Sequence, residues 1–199
     1  MVTRREIPNI LSWITGRRQI SDTSVDTLLA HLEPCRFPKK HLLVKEGEAR
    51  GMAYFIEKGM TRSYWLVDGQ EITTSFTTDG CIVFSMDELY YGRISEEYVE
   101  TVEPVEAFAI TLADLRRLVT TDIDFAIWWS LIHQDEYRRL HRSHKERLTL
   151  PAAERYRAFA QQQPEACRRA RLTDIASYLG ITPSTLSRIR ASIFLSQDK

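Results

Sequence analysis

The sequence predicts an α+β chain with an all-β front, one long helix and a paired-helix end. Three observations carry this reading. Seven short strand-like runs follow one another between about residues 35 and 110. The 27 residues from 122 to about 148 hold no Gly or Pro. The segment RLTDIASYLGITPSTLSRIRAS, starting at Arg171, reads as two short helices around a glycine.

Residues 6–32 read as mostly helical, with a polar break near Ser21 and Asp22. The strand runs come next: HLLVKEG, MAYFIEKG, TRSYWLV, QEITTSF, CIVFS, EYVETV and VEAFAI. Gly, Pro or Asp separates most of them, which suits a sandwich, a jelly roll or a barrel. Asp68-Gly69 lies between two runs and signals a hairpin, because Gly tolerates the positive φ of a tight turn. LADLRRL is a short helix. The long helix after it would span about 40 Å at its usual rise per residue. Its first half carries Ile123, Phe125, Ile127, Trp128, Trp129, Leu131 and Ile132, more apolar surface than one stripe needs. One side is expected to cover the β domain and the rest to pair with a second copy. Pro151, at a first helical position, starts PAAERYRAFAQQQ, which Pro164 limits.

Composition narrows the function classes. The 199 residues are 43% hydrophobic and contain no run of membrane-spanning length, and the first residues lack the apolar core of a signal peptide. A cytoplasmic location and no membrane partner are expected. Cys35, Cys81 and Cys167 are far apart and fit neither a disulfide framework nor a metal spacing. The net charge of zero hides a division: residues 1–137 carry 14 basic and 22 acidic side chains, and residues 138–199 carry 13 and 5. A basic rear suits a polyanion. No Gly-x-Ser-x-Gly, phosphate loop, His-Glu-x-x-His or paired Cys motif points to an enzyme. His31 and His41 read as surface residues. His141 and His144, three apart, read as part of a solvated basic face, so no metal and no cofactor are expected.

The end of the chain carries the strongest motif. Ala176 sits inside a first helix and Gly180 turns the chain, where the left-handed conformation favours Gly. Ile181 plugs the gap, Thr182 caps a second helix and Pro183 occupies its first turn. Ile175, Leu179, Leu186 and Ile189 supply the contacts between the helices. This is a helix-turn-helix pattern. At 100° per residue, Leu186, Ile189 and Ile193 share the inner side; Ser184, Ser187, Arg188 and Ala191 share the outer one. Small polar residues around Arg188 would let the helix enter a major groove and the guanidinium meet guanine. Thr185 and Arg190 lie on the flanks, and Arg168, Arg169 and Arg171 precede the first helix; these suit phosphates. Nine residues follow Arg190, leaving little room for a β-hairpin wing.

HLLVKEGEARGMAYFIEKGMTRSYWLVDGQEITTSFTTDG together with ERYRAF and IASYLGITPSTLSRIR resembles the cyclic-AMP receptor protein/FNR (CRP/FNR) family of bacterial transcription regulators over nearly the whole chain. The resemblance implies a cyclic-nucleotide-binding-like β-roll sensor (1–118), a dimerisation helix (119–148) and a helix-turn-helix DNA-binding domain (149–199). It implies double-stranded DNA, a second copy, RNA polymerase and a small-molecule effector of unknown identity as partners. It matches Arg188 to the family's base-reading arginine, while Pro183 and Ser184 stand where the prototype has Arg and Glu. The sensor departs from the pattern. Where the family has Phe-Gly-Glu and then Arg-Ser/Thr-Ala, this chain has Val83-Phe84-Ser85 and Ser95-Glu96-Glu97, with Arg93 two positions early. Carboxylates beside a phosphate repel it, so cyclic AMP is not expected to bind. The alternative to a DNA-binding regulator is a small-molecule or protein-binding sensor module whose paired helices make protein contacts.

Overall fold

The computed structural model describes residues 2–16 and 20–197, with side chains as far as residue 193. Two helices open the chain, α1 (Pro8–Thr15) and α2 (Asp22–Ala30), the second capped by the Ser21 hydroxyl. Eight antiparallel strands follow: β1 (Glu33–Phe37), β2 (Leu42–Val44), β3 (Met52–Lys58), β4 (Thr61–Val67), β5 (Gln70–Thr77), β6 (Ile82–Phe84), β7 (Tyr98–Thr101) and β8 (Val105–Thr111). They form two four-stranded sheets, ordered β1-β8-β3-β6 and β2-β7-β4-β5. The seven runs read in the sequence are β2 to β8. β1 escaped notice because it contains Pro34, which lacks a ladder donor; it is tolerated here because β1 is a sheet edge. Asp68 and Gly69 both have positive φ and join β4 to β5, with Val67 opposite Gln70.

Leu43, Val44 and Val99 of the second sheet meet Tyr54, Ile56, Val83, Val105, Ala107 and Ala109 of the first in the core between the sheets. The other face of the first sheet is covered by helices. α1 approaches the turn before β6 so closely that a Cβ on Gly80 would lie 2.9 Å from the Asn9 carbonyl oxygen. Into the same core go α3 (Leu112–Thr121) and the start of α4 (Ile123–Thr149), the long helix, capped by the Asp122 side chain.

The apolar excess at the start of α4 is resolved differently from the sequence expectation. Phe125, Trp128 and Trp129 are buried within the chain, and Ile132 packs against the same core. Trp13 of α1 meets Trp128 edge-on at 5.3 Å, and Phe125 lies 5.1 Å from it. The opening helices supply the cover that the β domain alone could not, so these four side chains do not call for a second copy. Burial of each such side chain is worth about 1.5–3 kcal/mol. What α4 leaves exposed is a different set: Ile123 at 74%, Tyr137 at 72%, Leu140 and Leu148.

Four short helices complete the chain: α5 (Ala152–Gln162), α6 (Pro164–Arg169), α7 (Leu172–Leu179) and α8 (Pro183–Gln197). Pro151 is the N-cap of α5 rather than its first residue. Pro164 does more than limit α5, since it opens α6. Tyr156, Phe159, Ala166, Ile175, Ala176, Leu179 and Leu186 form a third core, which also takes in Met60 and Val102 from the β domain. Among the described residues no helix is long and apolar enough to cross a membrane.

Candidate nucleic-acid interface

The turn between α7 and α8 is built by local chemistry. Gly180 has φ +65°, the left-handed conformation its sequence position calls for. Its N–H donates to Ser177 O at 3.0 Å, and the Ile181 N–H donates to Ala176 O at 3.0 Å. These two bonds close α7 as a Schellman motif. Thr182 then accepts from the Thr185 N–H through Oγ1 at 3.2 Å, and Pro183 takes the first position of α8. Leu186 is fully buried, and Ile181, Ile189 and Ile193 pack beside it.

The outer side of α8 follows from this placement. Ser184, Ser187, Arg188 and Ala191 are exposed, and Thr182 with them. Thr185 is half-buried, and the Arg188 Nη2 donates to its Oγ1 at 3.4 Å. Beside Arg188 an open groove of about 350 Å³ runs between α5 and α8, lined by Ala153, Arg157, Thr185, Ile189, Ser192 and Ile193. Arg190 is half-buried near the Tyr156 hydroxyl and lowers its pKa, against burial, which raises it more. It therefore lies closer to the core than a flank position implies.

The three arginines before α7 are not equivalent. Arg168 is exposed and pairs with Glu165 on its own helix. Arg169 pairs with Asp79 at 3.0 Å and with Glu103, both from the β domain, and its guanidinium is held further toward the charged state by the Glu103 hydrogen bond. Arg171 donates through Nε to Asp174 at 2.8 Å and lies 3.5 Å from Glu100. The second and third are thus occupied by carboxylates of the chain itself. Sequence reasoning grouped all three because they are adjacent, and it passed over Arg62 of β4, which is 1% exposed and pairs with Asp174 of α7 at 3.1 Å. A lone Arg inside a strand-like run was the available signal.

The residues at the sensor positions meet one another. After β6 the chain makes a π-helical turn, Asp87–Tyr91, ended by Gly92. The Asp87 carboxylate accepts from the Glu96 N–H at 3.0 Å. Glu97, half-buried, is pushed up to about 7 by burial and then by the Asp87 charge. The Ser95 hydroxyl is used locally, donating to Glu97 O at 3.1 Å. Arg93 follows the Gly92 turn and is exposed. Asp87, Glu96 and Glu97 thus share this loop with the exposed Arg93. Among the described residues no group of three or more metal-ligating side chains occurs.

Residues 34–122 match the family model for the cyclic nucleotide-binding domain. Among curated proteins nothing matches the chain. Solved structures do. The c-di-GMP responsive global regulator CLP of Xanthomonas campestris is 18% identical over 89% of this chain and 93% of its own, with a TM-score of 0.68. FixK2 from Bradyrhizobium japonicum is 21% identical over 83% and 86%, with a TM-score of 0.71. A protein assigned to the crp/fnr family from Eubacterium rectale is 13% identical over 89% and 85%, with a TM-score of 0.69. At these identities the likeness is one of fold. Residues 34–122 thus match the cyclic nucleotide-binding domain family, and over most of its length the chain has the fold of these regulators.

Proposed function

We propose that the chain is a homodimeric, sequence-specific DNA-binding transcription regulator of the CRP/FNR type that does not respond to cyclic AMP. In this reading residues 1–118 are the sensor, 119–148 the dimerisation helix and 149–199 the helix-turn-helix DNA-binding domain, and RNA polymerase is the machinery addressed. One observation carries it: the outer side of α8 presents Arg188, exposed, beside exposed Ser184 and Ser187 and half-buried Thr185, on a helix whose inner side packs into the third core through Leu186, Ile189 and Ile193. Arg188 reads a base and the small residues admit the helix to the major groove. Thr182, Arg168 and Arg190 serve the backbone, joined by Arg169 and Arg171 wherever phosphate displaces their carboxylates. Selection from random DNA followed by a salt-dependent gel shift tests this. Retention of every sequence alike, or of none, returns the chain to the class of sensor modules.

The dimer is supported by the exposed side of α4. Ile123 and Tyr137, exposed, and Ile127, half-buried, share one side of α4 with the polar Ser130, Gln134 and His141 at alternating spacings of four and three, the spacing by which two helices pair. Light scattering should give twice the monomer mass of 23.2 kDa. A clean monomer at micromolar concentration removes the dimer and with it the two-fold operator.

Indifference to cyclic AMP is supported by the carboxylates of Asp87 and Glu96 on this loop, joined by Glu97 as the pH rises through about 7. Calorimetric titration with cyclic AMP and cyclic GMP should show no micromolar binding, and such binding would refute this part of the reading.

A further inference from the structure

We infer that Arg62 latches α7 onto the outer face of the second sheet, so that the orientation of α8 relative to the roll is set by the chain's own ion network and not by a ligand in the roll. Val99 points into the core between the sheets, so its neighbour Glu100 and the register partner Arg62 point outward. There Arg62 is closed off from solvent. Its Nη2 donates to Glu100 at 2.7 Å and to Glu71; its Nη1 donates to Asp174 at 3.1 Å and lies 3.4 Å from the Thr73 hydroxyl. The guanidinium carbon sits 4.3 Å above the Tyr64 ring. Glu71, Glu100 and Asp174 come from β5, β7 and α7. An apolar contact can slide, but two terminal guanidinium nitrogens shared among three elements find their partners in one register.

A second feature, independent of charge, closes the same joint. β5 is the edge of its sheet. The Ser177 hydroxyl of α7 accepts from the Thr73 N–H at 2.9 Å and donates to Glu71 O at 2.9 Å, satisfying both edge groups. Phe76 of β5 lies 5.7 Å from Tyr178 and 6.0 Å from Phe159. The far end of α7 is tied to α4, where Arg147 donates to Tyr178 O at 3.0 Å. α7 is therefore held by sheet and long helix together, while α8, carried on it, keeps its outer side open. The family-typical phosphate cassette is missing from the roll, and the latch supplies the fixed domain geometry without it.

Amide hydrogen exchange on the full chain tests the latch, whether or not α8 meets DNA. In Arg62→Met, the Thr73 amide and the amides of α7 should exchange about tenfold faster or more, while β3 and β8 keep wild-type protection. Arg62→Lys, which keeps the charge and loses the fork, should fall between. In Arg62→Met/Asp174→Asn the carboxylate that has lost Arg62 and keeps only Arg171 is gone and global stability should partly return, yet exchange at Thr73 and α7 should stay fast. Wild-type protection of Thr73 and α7 in the double variant overturns the inference. Should Arg62→Met fail to fold, Asp174→Asn alone decides: faster exchange confined to Thr73 and α7 supports the latch, and unchanged exchange refutes it.

Discussion

Arg62 and Arg188 are the same side chain in opposite settings. Arg62 is walled in by carboxylates and an aromatic ring on the outer face of the second sheet. Arg188 stands exposed on the outer side of α8, with a threonine hydroxyl as its hydrogen-bond partner and no ion pair among the described residues. A charge taken out of water must be compensated by fixed partners, and those partners then fix geometry. An exposed guanidinium leaves its fork available to an anion from outside. Arg169 and Arg171 fall between the two, with carboxylates on one side and solvent on the other.

The largest test of this contrast is stability. Arg62→Met leaves Asp174, 4% exposed, with Arg171 as its remaining cationic partner and should cost about 2–3 kcal/mol in urea unfolding. Arg188→Ala should leave unfolding within about 0.5 kcal/mol of wild type. If the two variants unfold alike, the contrast between buried and exposed arginine is broken.

DNA binding inverts the order. Arg188→Ala should cost about 1–3 kcal/mol per half-site on a matched operator and relax preference at one base pair. Equal loss on matched and mismatched sites would make Arg188 a phosphate contact. A smaller effect separates Arg168 from Arg169. Arg168→Ala should flatten the logarithmic salt dependence by about one unit. Arg169→Ala should change it less, because Asp79 and Glu103 already hold that guanidinium.

A pH-dependent effect lies in the roll, where a carboxylate faces another carboxylate. The ordinary value for Glu97 is 4.5, and the folded carboxyl sits at about 7. Between those values the folded protein retains a proton that the unfolded chain has lost, so Glu97 lowers stability as the pH rises through that window. The Tm of Glu97→Gln should match wild type near pH 4 and exceed it increasingly up to about pH 7. Equal curves at both ends would show that burial and Asp87 do not act on Glu97 as described.

Much of the fold was legible because its signals are local. Strand ends are marked by Gly, Pro and Asp, the 68–69 hairpin by Asp-Gly, and the α7–α8 turn by Gly180, Thr182 and Pro183. β1 was hidden by Pro34, whose missing donor matters only to a strand with neighbours on both sides. The start of α4 misled in a useful way. The excess of apolar residues was real, but its partners, Ile10, Trp13 and Ile14 of α1, lie more than a hundred residues earlier, and no period in the sequence assigns one face to them.

By itself the sequence determined the order of elements, the departure from the phosphate cassette and the composition of the outer side of α8, because each depends on neighbours within a few turns of chain. Tertiary structure alone decided which arginines are occupied. Arg62 and Asp174 are separated by 112 positions, and Arg169 meets Glu103 across 66. A guanidinium reads the same in sequence whether it ends beside a carboxylate or in water. Its role follows from its surroundings, and those arise only when the second sheet and α7 close over one another.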